Sequence, residues 1–241
     1  MPRTVHVIGN GDSSALYQNE PRKGLKLLCN KAPFEVPGAY ASCIVDFKMT
    51  HFIHKGQVDV PGEWVMGVRP KEYMARNPQF HLQRSHQIKM FYTKKPKYAK
   101  NYTDFNCGHF AGYFAMEHLK AEVLHLYGMD SIFDFSLRSY TDFYINSDRG
   151  NMNNNRLSDN WRPLWKNMFE EFKDTKIYLH HFHNALKFDI PSNVEIITYG
   201  GREEVIDVGH GKVIDKSKMK FDPNVKKPSV DFRAEDPNFL K

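Results

Sequence analysis

The chain of 241 residues is 41% hydrophobic and 14% aromatic, enough for one sizeable core with a short appendage. Its net charge of +6 and pI of about 9.0 suit an anionic ligand, but Lys and Arg are spread along the whole chain, so charge alone marks no nucleic-acid face. No apolar run approaches the roughly 18 residues that a membrane span needs, which excludes a spanning segment.

Cys29, Cys43 and Cys107 lie in or beside apolar runs, without a Cys-x-x-Cys pair, as buried reduced thiols do. With no signal-peptide pattern at the start, the expectation is a cytoplasmic protein.

The first element organises the rest. Val5-His6-Val7-Ile8 reads as a buried strand, and Gly9-Asn10-Gly11-Asp12 as a tight turn running into a helix start at Ser13-Ser14. That unit opens nucleotide-binding α/β sheets, because amides at a helix start have no intrahelical partner and can face a phosphate. Leu25–Cys29 and 42–46 read as further buried strands, 47–54 as a short helix, and Trp64–Val68 as another strand. A helical turn fits within 70–80. His86–Tyr92 alternates polar and apolar, like a half-exposed strand.

In 93–104, Lys94, Lys95, Lys97 and Lys100 interleave with Tyr98 and Tyr102, next to Tyr92, which fits a mobile loop and opens a nucleic-acid contact. Cys107–Ala121 has the strongest helical periodicity and starts on small residues. A strand over 122–127 ends at Gly128-Met129-Asp130. Residues 131–157 read as a lid, followed by a helix capped by Ser158 or Asp159 with Pro163 in its first turn. Strands at 176–182 and Val194–Thr198 come next. A hairpin spanning 204–215 and an extended tail complete the chain.

These elements predict a single Rossmann-like nucleotide-binding domain over 1–200, with a mostly parallel sheet and the lid, then a hairpin and tail over 201–241. The second strand ends at Asn30-Lys31, where a nicotinamide cofactor would want an acid for its ribose. An Asn there can donate and accept together, which suits a ribose or a pyrimidine edge. No Asp-x-Asp occurs, so the sequence gives no support for metal catalysis. His181 and His183 share one face of their strand, a possible base or metal pair without a third ligand; His180 takes the other face.

The motifs Val7-Ile8-Gly9-Asn10-Gly11-Asp12-Ser13, Leu28-Cys29-Asn30-Lys31, Cys107-Gly108 and Leu126-Tyr127-Gly128-Met129-Asp130 resemble, in order and spacing, the bacterial CMP-sialic-acid-dependent sialyltransferases. Motility accessory factors and a pterin pyrophosphokinase family have a similar glycine-turn opening. The resemblance covers roughly the first 190 residues. It implies a metal-independent glycosyltransferase that needs no cofactor beyond a nucleotide-sugar, CMP- or UDP-linked. It would place Gly9, Asn10, Gly11 and Ser13 at the donor phosphate and sugar, and Asn30 on the nucleoside. Cys107 and Gly108 would lie near the donor's carboxylate, and Asp130 beside the nucleotide. Tyr140 or Tyr144 would steady the leaving phosphate.

The chain departs from the family pattern at two points. The lid offers Arg156 and Asp159 where the family has a catalytic histidine, so the base falls to His181 or His183, and Arg156 would neutralise a phosphate. Asp12 stands where the family has a Pro. The alternatives are a non-catalytic nucleotide or nucleic-acid binder, the latter through the 94–100 lysines, or a DNA-modifying glycosyltransferase. The richness in Asn, Lys, Met and aromatics is similar to that of bacteriophage proteins, whose setting would be the host cytoplasm.

Overall fold

The computed structural model describes residues 3–19, 22–102, 104, 106–132, 155–182 and 189–199. Eight strands form one sheet: β1 Thr4–Ile8, β2 Leu25–Cys29, β3 Ala41–Ile44, β4 Trp64–Met66, β5 Ile88–Phe91, β6 Val123–Tyr127, β7 Lys176–His181 and β8 Val194–Thr198. Every pairing is parallel, in the order β5-β4-β3-β2-β1-β6-β7-β8. The helices are α1 Phe47–His54, α2 Val68–Arg76, α3 Pro78–Arg84, α4 Cys107–Glu117 and α5 Asn155–Glu171, with a 3-10 helix at Asp12–Asn19. The chain winds outward from β1 to β5, returns through α4, and winds outward again from β6 to β8. Strand order therefore reverses between β1 and β6, and ligands of open α/β sheets bind outside the carboxyl ends of the strands at such a reversal.

Side-chain alternation splits the sheet into two unlike faces. Val5, Val7, Leu27, Leu124, Leu126, Ile177 and Leu179 point to the first, where Phe110 and Phe114 of α4 and Trp165, Met168 and Phe169 of α5 bury them. This is the apolar core that parallel strands need on a covered face. Helix α5 begins at Asn155, earlier than the expected caps, so Ser158 and Asp159 lie inside it and Pro163 stands in its interior. An interior Pro costs about 3 kcal/mol, which the burial of Trp165, Met168 and Phe169 offsets. Residues 70–80 hold parts of two helices that meet at Asn77. The expected strand at 86–92 is shorter, lies at the sheet edge and pairs on one side only, which fits its half-exposed pattern. The expected hairpin and tail lie outside the described residues, as do 133–154 of the lid. Among the described residues, no helix is long and apolar enough to cross a membrane.

The second face carries rings in place of aliphatics at its centre. His6, His125 and Tyr178 share one register level across β1, β6 and β7. Their rings stack with centroids 4.7 Å and 4.8 Å apart. One level further on, Tyr127 and His180 stack at 4.1 Å. His6 Nε2 donates to the Lys23 carbonyl at 2.9 Å, which fixes its tautomer. His125 Nδ1 lies 2.9 Å from His180 Nε2, and His180 Nδ1 lies 2.9 Å from the Tyr199 hydroxyl. Only one proton fits between the two facing ring nitrogens, so the accepting ring is neutral. Burial, reinforced by His6 and Arg22, pushes His125 down to about 4. Burial, reinforced by His125, Arg22 and His6, takes His180 to about 3.

Unfolded imidazoles titrate near 6.5. As pH falls below that, the unfolded chain takes up protons that these folded rings refuse, so stability is full above about pH 6.5 and declines through pH 4 toward 3. Urea midpoints measured from pH 7.5 to 4 are expected to follow that course, and His125→Phe to flatten it. A wild-type midpoint that is level down to pH 4 contradicts this assignment.

Candidate functional site

At the order reversal, the turn after β1 packs directly on the turn after β6. Gly9 N–H donates to Tyr127 O at 2.7 Å, and Gly11 N–H to Gly128 O at 3.1 Å. The backbones are so close that a Cβ on Gly9 would lie 2.6 Å from Gly128 O. Gly128 itself adopts φ +69°, which only glycine takes cheaply. Ser13 then locks the corner. Its hydroxyl donates to Asp130 Oδ1 and accepts from Gly128 N–H at 3.1 Å, while its own N–H reaches Asp130 Oδ2 at 3.4 Å. From β7, His181 Nε2 approaches Asp130 Oδ1 to 3.5 Å. Burial alone would raise the Asp130 carboxyl, but His181 and the Ser13 donors outweigh it and hold the group below the usual carboxylate range. Asp130 is therefore ionised at neutral pH.

This geometry narrows the expected phosphate cradle. The amides of Gly9, Gly11, Ser13 and Ser14 are all engaged, the last by Gly11 O at 3.1 Å. A Cβ on Gly11 would fall 2.5 Å from the Asp130 carboxylate. A Cβ on Gly108 would strike the Met129 sulfur. Both glycines thus make room for side chains of this chain, and the space expected for a donor's charged groups holds Asp130 and Met129. The expected role of Cys107 changes too. Its thiol donates to Cys43 O at 2.8 Å inside the core, and burial pushes it up. The start of α4 is capped instead by Asn106, whose side chain accepts from His109 N–H at 2.9 Å.

Two carboxamides remain at the carboxyl ends of β1 and β2. Asn10 follows β1 and donates from Nδ2 to Cys29 O at 2.5 Å. Asn30 follows β2, where its N–H bonds Cys43 O at 2.9 Å, and it adopts φ 56°, a left-handed conformation that Asn tolerates. Asn10 is 7% exposed and Asn30 4%. The side-chain oxygens of both are buried without a hydrogen-bond partner among the described residues. A buried acceptor left unpaired costs about 1–3 kcal/mol, and two neighbouring ones at a switch point ask for a ligand that brings donors.

Of the other expected site residues, Tyr140 and His183 lie outside the described residues, as does the side chain of Arg156. The lysine-rich segment is tied down. Lys94 pairs with Glu117, which also accepts from the Tyr92 hydroxyl at 2.5 Å. Lys95 caps the carbonyls of Ala99 and Lys100 at 2.6 and 2.7 Å. The Tyr98 and Tyr102 hydroxyls are bonded to His109 and to Thr93 O, and both rings pack against the core. Sequence reasoning missed Met129, and it missed Arg162, a buried α5 cation whose Nε donates to Ile132 O at 3.3 Å. Its position in a helix of polar and apolar alternation gave no signal. No family model matches the chain, and neither a curated protein nor a solved structure matches it.

Gly11→Ala forces a methyl into the Asp130 carboxylate and is expected to destabilise the fold by roughly 1–3 kcal/mol, as overpacking does. Urea unfolding measures it; a loss below about 0.5 kcal/mol, the range of unremarkable surface changes, contradicts the packing described.

Proposed function

We propose that this chain binds a nucleotide-sugar at the order reversal, grips it by the nucleoside, and transfers the sugar as a glycosyltransferase. The observation that carries the reading is the pair of buried, unpartnered carboxamide oxygens of Asn10 and Asn30. Ribose hydroxyls or a base amino group supply the donors they lack. His181, backed by the Asp130 carboxylate, is the acid–base pair at hand for proton transfer from an acceptor hydroxyl. The turn amides have no part in holding the phosphate in this reading. A non-catalytic nucleotide binder uses the same oxygens without the His181 step. Nucleic-acid binding finds less support, because the tyrosines and two of the lysines in the basic segment are engaged internally.

Thermal unfolding with CMP and with UDP tests the reading. At a hundredfold excess over Kd a ligand adds about 2.7 kcal/mol, a rise of roughly 5–10 °C in a domain of this size. Asn30→Gly keeps the left-handed backbone and removes only the carboxamide, and is expected to abolish the rise. A wild-type Tm indifferent to both nucleotides contradicts nucleoside binding. Free nucleotide released from a CMP- or UDP-sugar favours transferase over binder, and binding without release favours the binder.

A further inference from the structure

Asp130 does more than brace the turn. Its carboxylate lies at the amino end of the eight-residue 3-10 helix Asp12–Asn19, touching Gly11, accepting from the Ser13 N–H and hydroxyl, and facing His181. Those are the partners that a phosphate takes at a glycine turn followed by a helix start. The anion position is therefore filled from within, by a side chain that follows the neighbouring strand. A second anion brought there meets both the bulk and the charge of the first.

We infer that Asp130 is a specificity-determining residue that keeps phosphate off the glycine turn, so that the ligand presents neutral hydrogen-bond donors to this corner and carries its phosphate elsewhere. The inference rests on the nucleoside reading for the identity of those donors, while the exclusion of phosphate rests on the corner alone. The flanking groups agree. Asn10 and Asn30 offer oxygen acceptors, which repel an anion and welcome a hydroxyl or an amino group. The nearest imidazole, that of His181, already faces the carboxylate, with Nε2 3.5 Å from Oδ1. The arrangement also commits two amides of the turn: that of Gly11 serves Gly128 O, and that of Ser13 serves Asp130.

Inorganic phosphate is the probe, followed by titration calorimetry on wild type, Asp130→Gly, Asp130→Asn and Ser13→Ala, each checked for folding by circular dichroism. Asp130→Gly removes both bulk and charge and is expected to bind phosphate at least about tenfold more tightly than wild type, a difference of 1.4 kcal/mol. Asp130→Asn removes only the charge and is expected to gain less; it carries the test if the glycine variant fails to fold. Ser13→Ala loosens the same corner but leaves the carboxylate, and is expected to gain nothing. Equal phosphate affinity in wild type and in the folded Asp130 variants overturns the inference, as does a gain in Ser13→Ala that matches theirs. The nucleoside reading is judged separately by cytidine and uridine on the same wild-type sample: if they leave it unaffected while Asp130→Gly gains phosphate, the nucleoside reading fails and the exclusion of phosphate stands.

Discussion

The hydrogen bonds between Ser13 and Asp130 are the constraint on which this site depends. They join the turn after β1 to the turn after β6, strands that the chain visits more than a hundred residues apart and that lie side by side only because strand order reverses there. Backbone bonds from Gly9 and Gly11 to Tyr127 O and Gly128 O run between the same two turns. The serine hydroxyl bonds an amide of one segment and a carboxylate of the same segment, so the two turns close as one rigid corner. Gly9, Gly11 and Gly128 follow from that closeness, because a Cβ at any of them meets the opposite turn.

The closed corner sets what can happen outside the carboxyl ends of the strands. It engages the amides of Gly9, Gly11, Ser13 and Ser14, while the side-chain oxygens of Asn10 and Asn30 have no partner among the described residues. It also recruits His181 from β7, which turns a structural carboxylate into one half of an acid–base pair. On the ring-bearing face of the sheet the histidines stack, with His125 and His180 bonded to each other and His6 to Lys23 O, and they serve the packing of β1, β6 and β7.

Much of the architecture was legible in the sequence. Short β-branched and apolar runs without alternation, such as Val5–Ile8 and Leu25–Cys29, mark strands covered on both faces, and eight parallel strands is what they form. The reading of α5 went astray because Ser158, Asp159 and Pro163 mimic a helix start, and tertiary burial of Trp165 and Phe169 overrode the local signal. At the site, Asn30 and Asp130 were named from their places at strand ends, Asn10 from the resemblance and His181 from the strand face it shares with His183, and the structure brings Asp130 and His181 together. What the sequence concealed is which atoms are already satisfied. A glycine admits a ligand or a neighbouring side chain equally well, and only the fold shows that Met129 and Asp130 fill the gaps. The thiol of Cys107 likewise turns inward to Cys43 O, a choice that spacing does not encode.

The central claim is that Ser13 and Asp130 act as one unit, and a double-mutant cycle measures that directly. Ser13→Ala, Asp130→Asn and the double variant are compared with wild type by urea unfolding at pH 7. A hydrogen bond to a charged, largely buried carboxylate predicts a coupling of about 1.5–3 kcal/mol between the two positions. Additive losses, with coupling inside about 0.3–0.5 kcal/mol of zero, would mean that the two turns are held apart from this contact and would contradict the account.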